Sequence, residues 1–197
     1  MHHIPNIISI LRIILVLPIA ILLHKEAWLS AFILIFIAGI SDAIDGFLAR
    51  AFRWQSHLGS ILDPLADKLL LIVLFVSLAS KGIIPVWLAA LVVGRDVIIL
   101  IGAIIFQWLT RDLKMSPLFS SKVNTALQII FVLAVMYHLA VSQLSDSLIY
   151  TLQISVALTT LFSGFLYVIY WTRYTMDFFQ NKSADKTVAS NMENNNK

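Results

Sequence analysis

Cysteine is absent from the chain, and charged residues are scarce. Asp, Glu, Lys and Arg make up 13% of the 197 residues, whereas 59% are apolar. The lack of cysteine excludes disulfide bonds and thiolate chemistry, including thiolate metal ligands. The scarcity of charge, with a mean hydropathy of +0.89, argues against an ordinary soluble domain. The chain is long enough for about six membrane spans of about 20 residues each.

The apolar segments predict an all-α integral membrane protein with six transmembrane helices. We expect spans at about 4–23, 59–80, 83–109, 120–141 and 148–171. The second span runs from about Trp28 to the helical stripe at 42–50, and residues 51–58 connect it to the third. We expect one membrane domain at residues 1–179, followed by a disordered polar tail at 180–197, which is rich in Asn, Lys and Ser.

Basic residues are distributed unevenly between the two sides of this arrangement. With six spans, one side holds only Lys25 and Lys81, and the positive-inside rule makes the other side cytoplasmic. Both termini are then cytoplasmic. The basic residues on that side are Arg50, Arg53, Arg111, Lys114, Lys122, Arg173, Lys182, Lys186 and Lys197.

Four of the eleven acidic residues, Asp42, Asp45, Asp63 and Asp67, lie in one short stretch between two strongly apolar segments. A single Asp at the centre of a membrane helix costs about 2.5 to 3.5 kcal/mol, so four together require compensating partners. Helical spacing puts Asp42 and Asp45 on one stripe and Asp63 and Asp67 on another. Two antiparallel helices with facing stripes would form a box of carboxylate oxygens near the cytoplasmic surface. Such a box suits one or two Mg²⁺ or Mn²⁺ ions.

Three residues near these carboxylates suit a phosphate-bearing ligand. Gly46 and Gly59 remove side chains where a ligand can approach the backbone. Arg50 offers a planar fork of N–H donors that matches a phosphate.

The complete pattern, D-x2-D-G-x2-A-R-x8-G-x3-D-x3-D, resembles the signature of the CDP-alcohol phosphatidyltransferases, and every fixed position matches. The resemblance, which covers residues 4 to about 174, implies integral membrane enzymes with two metal ions. These enzymes transfer a phosphatidyl group from CDP-diacylglycerol to an alcohol and release CMP. They are usually homodimers, and we expect no nucleic-acid partner.

The resemblance also implies roles for individual residues. Asp67 would be the general base, although chemistry alone leaves open which aspartate has that role. Asp42 and Asp63 would bind both metal ions, Asp45 the first and Asp67 also the second. The residues expected to bind CDP-diacylglycerol are Asn6, in the opening Ile-Pro-Asn, with Asp42, Gly46, Arg50 and Gly59.

The acceptor is predicted from two later segments. Arg95 is an intramembrane charge and a candidate for binding an anionic head group, because we expect that it cannot pair with adjacent Asp96 on one helix face. Lys122 lies near a predicted helix start, where a bound phosphate would offset the helix dipole.

Gly94-Arg95-Asp96 and Ser121-Lys122-Val123-Asn124-Thr125 resemble the cardiolipin synthases of this family. In the phosphatidylglycerophosphate synthases, Arg-Glu and a second Lys are usual, and Asn124 stands in place of that Lys. We therefore favour phosphatidylglycerol as the acceptor over glycerol 3-phosphate.

Some alternatives stay open. An ion transporter could use the carboxylates as a pathway, but it would more often have internal repeats and carboxylates at the middle of the membrane. A lipid-binding scaffold descended from the enzyme would be expected to have lost an aspartate of the motif. Lys68 could contact phosphate or pair with an Asp, and we favour pairing. We expect the protein in a bacterial inner membrane, with its active site facing the cytoplasm.

Overall fold

Six α-helices account for most of the chain that the structure describes. This computed structural model describes the backbone of residues 4–52, 59–110 and 119–169, and the side chains of residues 11–41, 66–102 and 119–169. The predicted all-α fold is confirmed for these residues, which contain no strand. The helices are α1 (Ile4–His24), α2 (Trp28–Phe52), α3 (Gly59–Ser80), α4 (Val86–Thr110), α5 (Phe119–Ala140) and α6 (Asp146–Ile169).

The helix bounds agree closely with the predicted spans. Helix α2 continues through the stripe at 42–50, so Asp42 and Asp45 lie on a continuous helix, as their spacing predicted. It ends at Phe52, two residues into the predicted connection at 51–58. The remaining residues of that connection, 53–58, and the predicted tail at 180–197 lie outside the described residues.

Two of the described helices, α5 and α6, are long and apolar enough to cross a membrane by length and composition. Two shorter stretches, Leu11–His24 and Trp28–Ser41, are also apolar. Large apolar side chains are exposed on the outer faces of several helices, for example Leu17, Val86 and Phe165. Such a surface is suited to lipid. Six spans remain a prediction.

The core lies where α3 packs against α1, α4 and α5. Phe75 of α3 and Phe131 of α5 are fully buried, with ring centroids 6.1 Å apart. Ile19 and Leu23 of α1 join the same core, as does Leu88 of α4. The central position of α3 matters for function because this helix also carries Asp63 and Asp67.

Two tight turns shape the end of the bundle away from Asp67. Gly82, which follows α3, has a φ of 71°, and the N–H of Ile83 donates to the carbonyl of Leu78 at 3.0 Å, as in a Schellman C-cap. Glu26, in the turn after α1, has a φ of 59°. The Lys81 ammonium contacts the Glu26 carboxylate at 2.9 Å and joins the two turns.

Candidate active site

The backbone of α2 and α3 carries all four aspartates of the motif in helical conformation. Asp42 and Asp45 lie on α2, and Asp63 and Asp67 lie in the N-terminal part of α3. Of the four side chains, the structure describes that of Asp67. That the aspartate stripes of α2 and α3 face each other therefore stays a prediction.

Asp67 is paired with a buried arginine from α1. The Nη1–H of Arg12 donates to Oδ1 of Asp67. The Arg12 side chain is 4% exposed and that of Asp67 is 46% exposed. Because the Arg12 side chain is buried and paired with a carboxylate, it does not extend to a surface of the bundle. Arg12 thus joins α1 to the residue predicted to be the general base.

A cavity of about 380 Å³ adjoins this pair, between α1, α2, α3 and α5. Arg12 and Asp67 contribute polar groups to its lining, and Thr125 contributes a hydroxyl from α5. The rest of the lining is apolar and includes Ala38 and Gly39 of α2. The cavity therefore connects a carboxylate of the motif with an apolar interior.

Lys68, the neighbour of Asp67, pairs with an aspartate, as predicted. Its ammonium contacts Oδ1 of Asp96 at 2.6 Å, so the partner is on α4 and not in the motif. Because the Asp96 side chain is only 3% exposed, this ion pair joins α3 to α4 inside the bundle.

Arg95 is buried and is bound by three other side chains. Its Nη1 donates to Oδ1 of Asp96 at 2.7 Å, so the expectation that adjacent residues cannot pair here was wrong. The two side chains bend toward each other, although the Cα–Cβ bonds of adjacent residues point to different faces of a helix. Nη2 donates to Ser121 of α5 at 2.9 Å and to Ser163 of α6. The guanidinium also lies over the ring of Tyr167, 5.6 Å from its centroid.

The other two predicted acceptor residues have contrasting surroundings. Lys122 is exposed. Asn124 is fully buried, and its Oδ1 accepts hydrogen bonds from Thr159 at 3.0 Å and Thr160 at 2.9 Å. Its carboxamide oxygen therefore joins α5 to α6. An acceptor-binding role for Arg95, Lys122 and Asn124 stays a prediction.

Sequence reasoning missed a polar seam between α5 and α6. Ser121, Asn124 and Gln128 recur at steps of three and four on α5, which places them on one helix face. Thr160 and Ser163 of α6 contact that face or Arg95. The signal that could have found the seam is this spacing of small polar residues in two otherwise apolar helices.

Several predicted ligand-binding residues lie where side chains are outside the described ranges. Asn6 is on α1, Gly46 and Arg50 are on α2, and Gly59 is the first residue of α3. Their backbone positions are therefore known, and their contacts with a ligand stay predictions.

The four carboxylates form an oxygen-only donor set, which fits the hard cations Mg²⁺ and Mn²⁺. Asp67, half exposed beside the cavity, is accessible to such an ion. Among the described side chains, no group of three His, Asp or Glu residues could hold a metal. The side chains of the other three predicted ligands, Asp42, Asp45 and Asp63, lie outside the described ranges. The metal site therefore stays a prediction that rests on the chemistry of its donors.

Comparison with known proteins supports the reading of the motif. The family model of the CDP-alcohol phosphatidyltransferases matches residues 2–171. The chain belongs to this family. It is thus a member of a family of phosphatidyltransferase enzymes, and the match includes all four aspartates of the motif as well as Arg12 and Arg95.

Relatives of the chain within the family have two different activities in their names. A cardiolipin synthase (CMP-forming) from Homo sapiens is 39% identical over 66% of this chain and 49% of its own length. A chloroplastic CDP-diacylglycerol–glycerol-3-phosphate 3-phosphatidyltransferase from Oryza sativa is 35% identical, over 67% of this chain and 45% of its own. An enzyme of that second kind from Aquifex aeolicus is 28% identical over 90% of this chain and 97% of its own. The chain spans about half the length of the human and rice relatives.

Proposed function

We propose that this protein is a cardiolipin synthase, which transfers a phosphatidyl group from CDP-diacylglycerol to phosphatidylglycerol and releases CMP. The observation that carries the proposal is the complete motif on α2 and α3, with Asp67 half exposed beside an apolar cavity. An enzyme with two lipid substrates needs carboxylates that lie beside an apolar surface. The identity of 39% to a human cardiolipin synthase supports the choice of acceptor.

In this proposal, Asp42, Asp45, Asp63 and Asp67 would hold two Mg²⁺ or Mn²⁺ ions. Bound metal would neutralise the pyrophosphate of the donor and stabilise charge that develops on phosphorus. Asp67 accepts the proton of the acceptor hydroxyl, whose oxygen attacks the phosphorus that bears the diacylglycerol, and CMP leaves. Arg12 orients the Asp67 carboxylate through its contact with Oδ1. Asn6, Gly46, Arg50 and Gly59 bind the donor.

The acceptor phosphate would lie near the N-terminal turn of α5. The Lys122 side chain is exposed there, so its ammonium can reach a phosphate. Arg95 would support that turn through Ser121. The neutral Asn124 is compatible with an acceptor that carries one phosphodiester charge.

The second candidate function is a phosphatidylglycerophosphate synthase, which uses glycerol 3-phosphate as the acceptor. It is favoured by the relatives from Oryza sativa and Aquifex aeolicus, the second of which aligns over 90% of this chain. We propose six membrane spans and a homodimer for either function. A bacterial inner membrane remains our proposed location, although the relatives include mitochondrial and chloroplastic proteins.

The deciding experiment gives the purified protein CDP-diacylglycerol and Mg²⁺ or Mn²⁺, with phosphatidylglycerol or glycerol 3-phosphate in separate reactions. We expect CMP and cardiolipin in the first reaction only. Phosphatidylglycerophosphate in the second reaction would establish the other function and overturn our choice of acceptor. No CMP in either reaction would overturn the proposed activity.

A further inference from the structure

We propose that a pocket between the end of α5 and the start of α6 binds a phospholipid whose head group carries a primary ammonium, such as phosphatidylethanolamine. The pocket is at the end of the bundle away from Asp67, since the turn residue Ile83 contributes to its lining. A lipid bound there would be neither the donor nor the acceptor of the proposed reaction. The proposal is carried by the lining of the pocket, the orientation of one imidazole, and the charge at the opening.

The α5–α6 pocket has a lining that suits an amphiphilic molecule. Its volume is about 470 Å³, and small-molecule sites commonly have about 300 to 1,000 Å³. The apolar residues of the lining are Ile83, Val135, Leu139 and Ile149, and the polar ones are His138, Asp146, Tyr150 and Gln153. A ligand with hydrocarbon chains and several polar groups can therefore contact both parts of the lining.

His138 offers a hydrogen-bond donor to this pocket. Its Nδ1 accepts the backbone N–H of Leu144 at 3.0 Å, which closes the turn between α5 and α6. A ring nitrogen that accepts a hydrogen bond carries no proton, so the proton of the neutral imidazole is on Nε2. Nε2–H is therefore the remaining polar group of His138, and it can donate to a phosphate oxygen.

Asp146 places a negative charge at the opening of the pocket. It is the first residue of α6, its side chain is exposed, and the ion pairs among the described residues do not include it. The described lining contains neither lysine nor arginine. A phosphate alone would therefore face a carboxylate without a compensating cation. A head group with both phosphate and ammonium brings its own cation, whose N–H groups can donate to the carboxylate.

The polar groups follow each other in the order found in such a lipid. Asp146 begins α6 and His138 lies in the last turn of α5, so both are near the opening. Gln153 is seven residues further along α6, or about 10 Å at 1.5 Å per residue. In a phospholipid, the ester carbonyls lie between the phosphate and the acyl chains. The amide of Gln153 can donate to one of these carbonyls.

The same groups disfavour other occupants. A metal ion would need more ligands, because the described side chains contain no group of three His, Asp or Glu residues. Phosphatidylglycerol and cardiolipin carry phosphate without ammonium, so Asp146 would repel them. Phosphatidylcholine has a cation, but its quaternary ammonium has no N–H to donate to the carboxylate. The pocket therefore distinguishes the proposed ligand from the acceptor and product of the proposed reaction.

Hydrogen exchange locates the binding. Purified protein, freed of lipid in detergent, receives dioleoyl phosphatidylethanolamine, phosphatidylcholine or phosphatidylglycerol in separate samples, and mass spectrometry follows the peptides that cover residues 141–150. With phosphatidylethanolamine at ten times its Kd, we expect exchange in these peptides to slow about tenfold. The other two lipids should leave their exchange unchanged. No turnover is needed, so the result is independent of the proposed cardiolipin synthesis.

Three variants identify the contacts, with Kd measured by native mass spectrometry. Asp146→Asn should weaken phosphatidylethanolamine binding about tenfold, as for one hydrogen bond to a charged group. Gln153→Leu, similar in size, should weaken it about fivefold, as for a neutral hydrogen bond. The matched control is Glu26→Gln, which neutralises an exposed carboxylate at the same end of the bundle but outside the pocket. It should keep the wild-type Kd.

Three outcomes would overturn the inference. Equal protection of 141–150 by all three lipids would show a surface that does not recognise the ammonium. No protection by phosphatidylethanolamine would show that the pocket does not bind it. A wild-type Kd in both Asp146→Asn and Gln153→Leu would place the bound lipid elsewhere on the protein.

Discussion

Arg12 and Arg95 are both buried and both paired with an aspartate, but their partners differ in exposure. The Asp67 side chain is 46% exposed beside a cavity, whereas that of Asp96 is 3% exposed. Sequence patterns treat both arginines as intramembrane charges and therefore as functional candidates. The structure separates them: Arg12 contacts a carboxylate that a ligand can reach, whereas Arg95 contacts Asp96 on its own helix and groups from α5 and α6.

The surroundings of Arg95 resemble a structural junction. Asp96 Oδ1 is shared by Arg95 and Lys68, while Ser121 and Ser163 accept from the guanidinium. These contacts connect α3, α4, α5 and α6. Arg95 Nε and Asp96 Oδ2 are buried without a hydrogen-bond partner in the described part of the chain. These two groups pay a desolvation penalty that no hydrogen bond among the described residues offsets.

The largest effect on turnover should come from Asp67, the more exposed residue of the Arg12–Asp67 pair. Asp67→Asn should lower CMP release by about 10²- to 10⁴-fold, the range expected for loss of a general base. The amide is close in size to the carboxylate, so CDP-diacylglycerol binding should remain measurable by thermal shift. Asp146→Asn, at the start of α6, is the matched control and should keep wild-type turnover. Unchanged activity in Asp67→Asn would remove Asp67 as the base.

The two arginines should respond differently to replacement by Met. Arg95→Met leaves Asp96 buried with Lys68 alone, and loss of one partner of a buried pair costs about 3 to 5 kcal/mol of stability. Arg12→Met leaves a half-exposed carboxylate that water can solvate, so we expect a smaller loss of stability and a larger loss of turnover. Thermal unfolding in detergent and CMP release measure the two quantities. Equal ratios of stability loss to activity loss in both variants would contradict the distinction.

Removal of a single hydrogen-bond acceptor of Arg95 should have a smaller effect on stability. Ser163→Ala removes one acceptor from the guanidinium, which still has Ser121 and Asp96. The expected loss of stability is about 1.5 to 3 kcal/mol, the value for one hydrogen bond to a charged group. Ser155→Ala, on the same helix, serves as control because the Ser155 hydroxyl donates to the carbonyl of Thr151, one turn earlier on the same helix. If Ser163→Ala matched Arg95→Met in unfolding temperature, Ser163 would be the centre of the junction.

Much of the fold could be predicted because long apolar runs bounded by short polar segments have one common solution in a bilayer, the spanning helix. The starts of α3 and α5 fell within one residue of the predicted positions. Helix α2 ends two residues later than the predicted stripe at 42–50, because Ala51 and Phe52 carry no signal that stops a helix.

The site was less predictable beyond its motif. The four aspartates have a fixed spacing within one stretch of sequence, so local periodicity places them on two helices. The partners of Asp67 and Lys68 are Arg12 and Asp96, which are distant in sequence, and their pairing depends on how α1 and α4 pack on α3. The Arg95–Asp96 contact was missed because long side chains can bend across the angle that separates adjacent positions on a helix.

Two ion pairs, Arg12–Asp67 between α1 and α3 and Glu26–Lys81 between the turns that follow them, have a consequence for biosynthesis. Arg12 with Asp67 and Glu26 with Lys81 are both separated by 55 residues, so each pair waits for the third helix to be synthesised. In the proposed six-span arrangement, α1 enters the membrane before Asp67 has been synthesised, so Arg12 gains this carboxylate only later. The arrival of α3 adds that contact near one end of α1 and the contact of Lys81 with Glu26 at the turn that follows the other end. The first three helices are therefore the shortest part of the chain in which both ion pairs can form.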